Sequence, residues 1–138
     1  MQDGKSVDKS RIINQKAWDI ARLASITADE MKADDILLLE IGNISTLCDY
    51  FVICTAKSSP HIKAVEDDIE EKIRLGLGVK PITRDGDSAS KWVVIDYGAT
   101  IIHILSPEMR KFYSIENVWG DAPKMFEYLP SVKQRISN

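Results

Sequence analysis

Cysteine is scarce: only Cys48 and Cys54 occur in 138 residues, and no zinc or redox spacing relates them. That excludes a disulfide framework and reads as buried or partly buried free thiols in a reducing cytosol. Long hydrophobic runs are absent; none reaches the roughly 18 residues of a membrane span. The opening Met-Gln-Asp-Gly-Lys-Ser has neither an apolar signal core nor the arginines of a transit peptide. The expectation is a cytoplasmic protein without membrane contact. Basic charge is in deficit, with 18 Lys and Arg against 21 Asp and Glu and a net charge of -3. A free-standing nucleic-acid binder usually carries a basic field, so little direct sequence-specific nucleic-acid contact is expected. An acidic chain can still reach a ribonucleoprotein by docking on one of its basic proteins.

Catalytic patterns are missing as well. The seven glycines are scattered and form no phosphate-cradling loop. His61, His103 and the two cysteines lack metal-ligand spacing, so neither a metal nor a cofactor is expected. Ser58 and Ser59 stand before Pro60 in no nucleophile-elbow context and suit a helix cap better. Asp34 and Asp35 are adjacent, and adjacent strand residues point to opposite faces, which makes a poor metal clamp. A turn accounts for Asp85 and Asp87 around Gly86. The residues therefore point away from an enzyme.

What is present is a clear periodicity. Ile13, Ala17, Ile20, Ala24, Ala28 and Met31 recur at steps of three and four, predicting an amphipathic helix over 12–32 after a loose start. Ile36-Leu-Leu-Leu-Glu-Ile41 suits a strand covered on both faces. Tyr50–Thr55 is a second strand, aromatic and β-branched. Ser59 as cap and Pro60 at the first position open a helix with the stripe Ile62, Val65, Ile69, Ile73, closed by Gly76 and Gly78. Its charged face predicts Asp68–Lys72 and Glu70–Arg74 pairs; this is a solvated face, or an acidic surface for a basic partner. Val79–Thr83 reads as a short third strand and Asp85–Ser88 as a loop.

A hairpin follows, with Gly98-Ala99 as its two-residue turn. In that register Asp96 pairs with Ile101, Val94 with His103 and Trp92 with Leu105. One face then holds Val93, Ile95, Ile102 and Ile104. The other mixes Trp92, Val94, Asp96, Ile101, His103 and Leu105. His103 there is held by Asp96 or the backbone, touches a partner, or acts as a base or ligand. Trp92 and Trp119 either pack in the core or serve an interface, where Trp, Tyr and Arg dominate the energetics. Ser106-Pro107 opens a short helix carrying Met109, Phe112 and Tyr113. The order α-β-β-α-β-β-β-α makes a single α/β domain: a mixed five-stranded sheet flanked by helices.

The chain resembles the ribosomal silencing factor, or Iojap-like, family. The likeness rests on Asp35-Ile36, Asp49-Tyr-Phe-Val-Ile53, Ser58, Trp92-Val-Val-Ile-Asp-Tyr-Gly98, His103, Arg110, Phe112-Tyr113, Glu116, Trp119 and Asp121-Ala122, in that order. It departs where the family often shows Gly at Ala56, Arg at Pro60 and an acid at Ala99. The resemblance implies a domain over 12–122, between a flexible N-terminus (1–11) and a C-terminal extension (123–138). It also implies a fold related to nucleotidyltransferases without their catalytic carboxylates. The implied activity is binding to the large ribosomal subunit through its protein fourteen, which keeps the subunits apart and lowers translation when nutrients are scarce. Trp92 and Tyr113 would supply apolar area. Asp96 and Glu116 would meet basic groups, and His103 and Arg110 would order the face or touch the partner. Tyr97 and Trp119 complete the expected set. The exposed face could also pair with a second copy when no ribosome is present. A large-subunit assembly factor and a nucleotide-binding, nucleotidyltransferase-like enzyme are the alternatives.

Overall fold

The computed structural model describes residues 2–42, 48–113 and 124–128. Three helices, α1 (Gln2–Glu30), α2 (Ser59–Leu77) and α3 (Pro107–Tyr113), accompany six strands. These are β1 (Asp34–Glu40), β2 (Tyr50–Thr55), β3 (Thr83–Asp87), β4 (Trp92–Asp96), β5 (Thr100–Leu105) and β6 (Lys124–Tyr128). They lie side by side as β3-β4-β5-β2-β1-β6. Among the described strands only β2 and β5 run parallel, so the sheet is mixed, as expected. β6 is an addition to the five expected strands; it pairs antiparallel along the outer edge of β1.

Helices α1 and α2 cover one face. Ala21, Ala24 and Ala28 of α1 are fully buried, and such small side chains let the helix approach its neighbours closely. Ile62, Val65, Ile69 and Ile73 of α2 meet Ile36, Leu38, Val52, Val93, Ile95, Ile102 and Ile104 of the sheet. Each fully buried isoleucine contributes about 1.5–3 kcal/mol. The continuous apolar run of β1 is explained by its neighbours: Ile36 and Leu38 face the helices, whereas Leu37 and Leu39 face the opposite side with Ile41, Phe51, Ile53, Ile101 and Leu105. Both cysteine thiols are free and buried, and burial pushes each up to about 12. They stay protonated and inert, as structural thiols do.

Several boundaries move. Helix α1 begins at Gln2, eleven residues before the periodic stripe, and ends at Glu30. The α2 cap is Ser58, one residue earlier than expected, with its Oγ accepting the His61 N–H at 3.2 Å. Gly78 closes α2 in the left-handed region, φ 68. The Asp68–Lys72 pair forms at 3.5 Å, but Glu70 turns instead to Arg84 on β3.

The largest shift concerns β3, which occupies 83–87 rather than 79–83. The expected loop around Gly86 is strand, and the turn is Ser88–Lys91, closed by Ser90 N–H to Asp87 Oδ1 at 2.8 Å and Ser90 Oγ to Asp87 O at 2.9 Å. Gly86 sits at φ 73, where a Cβ would lie 2.0 Å from the Trp92 carbonyl oxygen. The glycine thus permits a close strand approach. Gly86→Ala is expected to lower stability by at least about 1–2 kcal/mol from the left-handed backbone alone, and by more through the clash, read as a lower thermal midpoint.

Candidate docking face

The hairpin register is as the alternation predicts: Trp92 opposite Leu105, Val94 opposite His103, Asp96 opposite Ile101. The turn Tyr97–Thr100 has Gly98 at φ 92 in its first central position, a left-handed backbone that glycine adopts without steric cost. Asp96 stiffens it, its Oδ1 accepting the Gly98 N–H at 2.7 Å. Its carboxylate therefore serves the turn and makes no bond to His103. Asp96→Asn keeps that acceptor and removes the charge, whereas Asp96→Ala removes both. The asparagine variant is expected to melt near wild type and the alanine variant lower by about 1 kcal/mol, as chemical denaturation will show.

His103 has a different partner. The Trp92 indole Nε1–H donates to its Nδ1 at 3.0 Å. A ring that accepts at Nδ1 is neutral, with its proton on Nε2. Burial explains that state: His103 is 8% exposed, and desolvation pushes it down to about 4. Phe51 lies 4.5 Å from the imidazole, centroid to centroid. Tyr113 lies 4.9 Å from Trp92, and Phe112 meets Tyr113 edge-on at 4.8 Å. Aromatic contacts thus run unbroken from Phe51 in the sheet to Phe112, which is 78% exposed, with Tyr113 at 52%.

Helix α3 has only seven residues and cannot hold itself. Ser106 caps it, Oγ accepting the Met109 N–H at 3.2 Å. Arg110 ties it to the sheet, donating from Nη1 to the Asp35 carbonyl at 2.7 Å and to Thr55 Oγ1 at 2.9 Å. Asp35 is itself left-handed, φ 50, at an irregularity in the β1–β2 register. Arg110→Ala is expected to cost about 1.5–3 kcal/mol, the usual worth of a hydrogen bond to a charged group. Arg110→Lys, with a single point charge, falls between, as urea titration will show.

Of the expected site residues, the structure brings Trp92, Asp96, His103, Arg110 and Tyr113 to the side of the sheet away from α1 and α2. Tyr97 is a correction. It is 8% exposed and belongs to the core beneath the helices, because alternation sends it opposite to Asp96. Burial pushes its phenol well above the ordinary range, and among the described residues its hydroxyl has no hydrogen-bond partner. Glu116 and Trp119 lie outside the described residues. Sequence reasoning missed Phe112 as a site residue. It also missed the groove of about 360 Å³ that Asp85, Gly86, Ser90, Trp92, Val94, Met109 and Tyr113 line. The usable signal was α3's length: so short a helix cannot bury Met109, Phe112 and Tyr113 together.

Chemically, this face offers apolar surface bordered by Asp85 and Asp96. Among the described residues no three His, Cys, Asp or Glu side chains converge to hold a metal. The one histidine on the face is buried, neutral and engaged by an indole. The fold and face define a class: an α/β domain with helices on one side of a mixed sheet and an aromatic wedge on the other. The family described as "Ribosomal silencing factor during starvation" (RsfS) matches residues 14–138. The ribosomal silencing factor RsfS of Bacillus subtilis is 34% identical over 112 residues, 80% of this chain and 92% of that protein. The mouse protein named "Mitochondrial assembly of ribosomal large subunit protein 1" is 30% identical over 104 residues, 74% of this chain and 45% of that one. A crystal structure of a Chromobacterium violaceum protein superposes with a TM-score of 0.71 at 26% identity, covering 85% of this chain and 96% of its own. The chain belongs to the ribosomal silencing factor family.

Proposed function

We propose that this chain acts in the cytoplasm by docking on the large ribosomal subunit through that subunit's protein fourteen. Bound there, it sterically blocks joining of the small subunit and so represses translation under nutrient limitation, with no chemical step. The observation that carries the reading is the aromatic wedge of Trp92, Tyr113 and Phe112, two of whose rings are exposed. Rigid aromatics held by a sheet supply the large contact area and low ordering cost of an interface hot spot. The resemblance supplies the partner, and the wedge specifies what that partner must present: an apolar recess beside basic groups that can face Asp85 and Asp96.

The test is sucrose-gradient sedimentation of purified subunits under associating magnesium. The expected result is co-migration with large subunits and a fall in intact ribosomes. A chain that stays at the top of the gradient refutes the reading. The name of the mouse relative favours a second reading, in which the same docking serves large-subunit assembly. A deletion strain that accumulates precursor particles without a starvation phenotype would select it.

A further inference from the structure

We infer that His103 is a positioning residue for docking, which acts through Trp92 and does not touch the partner. The inference rests on the docking reading above and assigns this residue its part in it.

A half-buried indole N–H needs an acceptor, and without one the ring gains by swinging toward water. On this face the acceptor is Nδ1 of His103, at 3.0 Å. Only the neutral ring protonated on Nε2 can play that part. Its place in the sheet fixes the acceptor. β5 lies between β4 and β2, and Phe51 packs 4.5 Å from the imidazole. At 8% exposure the imidazole presents almost no surface to a second molecule. The ring it holds is better placed: Trp92 lines the groove and lies 4.9 Å from Tyr113. Orientation therefore passes from a buried strand position to the exposed wedge in two contacts. A rotated indole would also take one support from Tyr113 and so from α3. A fixed wedge binds with less ordering cost than one that must be arranged on contact.

The experiment is a double-mutant cycle read by sedimentation with purified bacterial large subunits, using Trp92→Phe, His103→Leu and the double variant. Trp92→Phe removes the donor and keeps an aromatic ring. His103→Leu removes the acceptor and leaves an apolar side chain in an apolar site. Each single variant is expected to bind roughly fivefold to tenfold more weakly, the scale of one net hydrogen bond, and the double variant no more weakly than Trp92→Phe alone. Multiplying effects would overturn the inference, since they would mean that His103 meets the partner itself. Unchanged binding by a folded His103→Leu variant would overturn it too. A second measurement needs no variant at position 103: in the ¹⁵N–¹H spectrum of the wild type, the Trp92 indole resonance, assigned with Trp92→Phe, must be hydrogen-bonded and slow to exchange with water. A water-exposed indole signal would refute the positioning role whatever the cycle shows. If the wild type itself fails to sediment with large subunits, the docking reading falls and this role falls with it. If the wild type binds and the cycle multiplies, only the positioning role falls.

Discussion

Trp92→Ala is expected to weaken binding to large ribosomal subunits by roughly 30- to 1000-fold, the range of a 2–4 kcal/mol interface hot spot. The size follows from three things the indole does at once. It lines the groove with Val94, Met109 and Tyr113. Its ring lies 4.9 Å from Tyr113, so α3 loses a support with it. Its N–H occupies the acceptor nitrogen of His103, which truncation leaves buried and unpaired. The measurement is equilibrium binding of labelled chain to purified large subunits, with thermal melting to establish that the variant is folded. Trp18 provides the control. It packs 5.5 Å from Tyr50 beside the helix-covered core, so its loss is expected to lower stability and leave affinity nearly intact. Wild-type affinity in folded Trp92→Ala would move the docking face away from the hairpin.

The hairpin was legible because a two-sided strand pair has a strict period of two. Gly98 and the alternating aliphatics fix the register, and the register alone separates Val93, Ile95, Ile102 and Ile104 from the mixed face. The same alternation sends Tyr97 to the face opposite Asp96, among the core residues beneath the helices. For His103, pairing opposite Val94 places Asp96 and Trp92 diagonally on either side. Charge favours the first neighbour and burial the second. Burial prevails, because a desolvated imidazole is neutral and prefers an N–H donor to a carboxylate. Strand β3 had no hydrophobic signal to find: all five of its residues are exposed, and Gly86 reads as a loop until the close Trp92 carbonyl is seen. The Arg110 clamp was invisible for a different reason. Its acceptors lie 55 and 75 residues away, and one is a backbone carbonyl, which no side-chain pattern reveals.

The second large effect is expected in acid. In the folded chain His103 is pushed down to about 4 from an ordinary value near 6.5. Between these limits the unfolded chain binds a proton that the folded chain refuses, so stability falls as pH drops from 6.5 to 4. The cumulative loss is on the order of 3 kcal/mol, set against a total of about 5–15 kcal/mol for an ordinary domain. Below pH 4 both states bind the proton and this contribution levels off. Glu66 acts in the opposite sense. Burial raises its carboxyl, so it disfavours the fold at neutral pH, and that penalty is relieved as the pH falls through its raised value. A single stability curve mixes the two, whereas the difference between wild type and His103→Leu isolates the histidine. Urea denaturation of both, from pH 7 to pH 3.5, is expected to show the wild type losing about 3 kcal/mol relative to the variant across that window. Protonation of the folded ring also removes the acceptor for the Trp92 N–H, so the indole should be released only as the pH falls through about 4. A flat difference would mean that the folded chain binds the His103 proton as readily as the unfolded chain does, so that burial does not hold the ring neutral and the acceptor for the Trp92 N–H would already be lost below about pH 6.5.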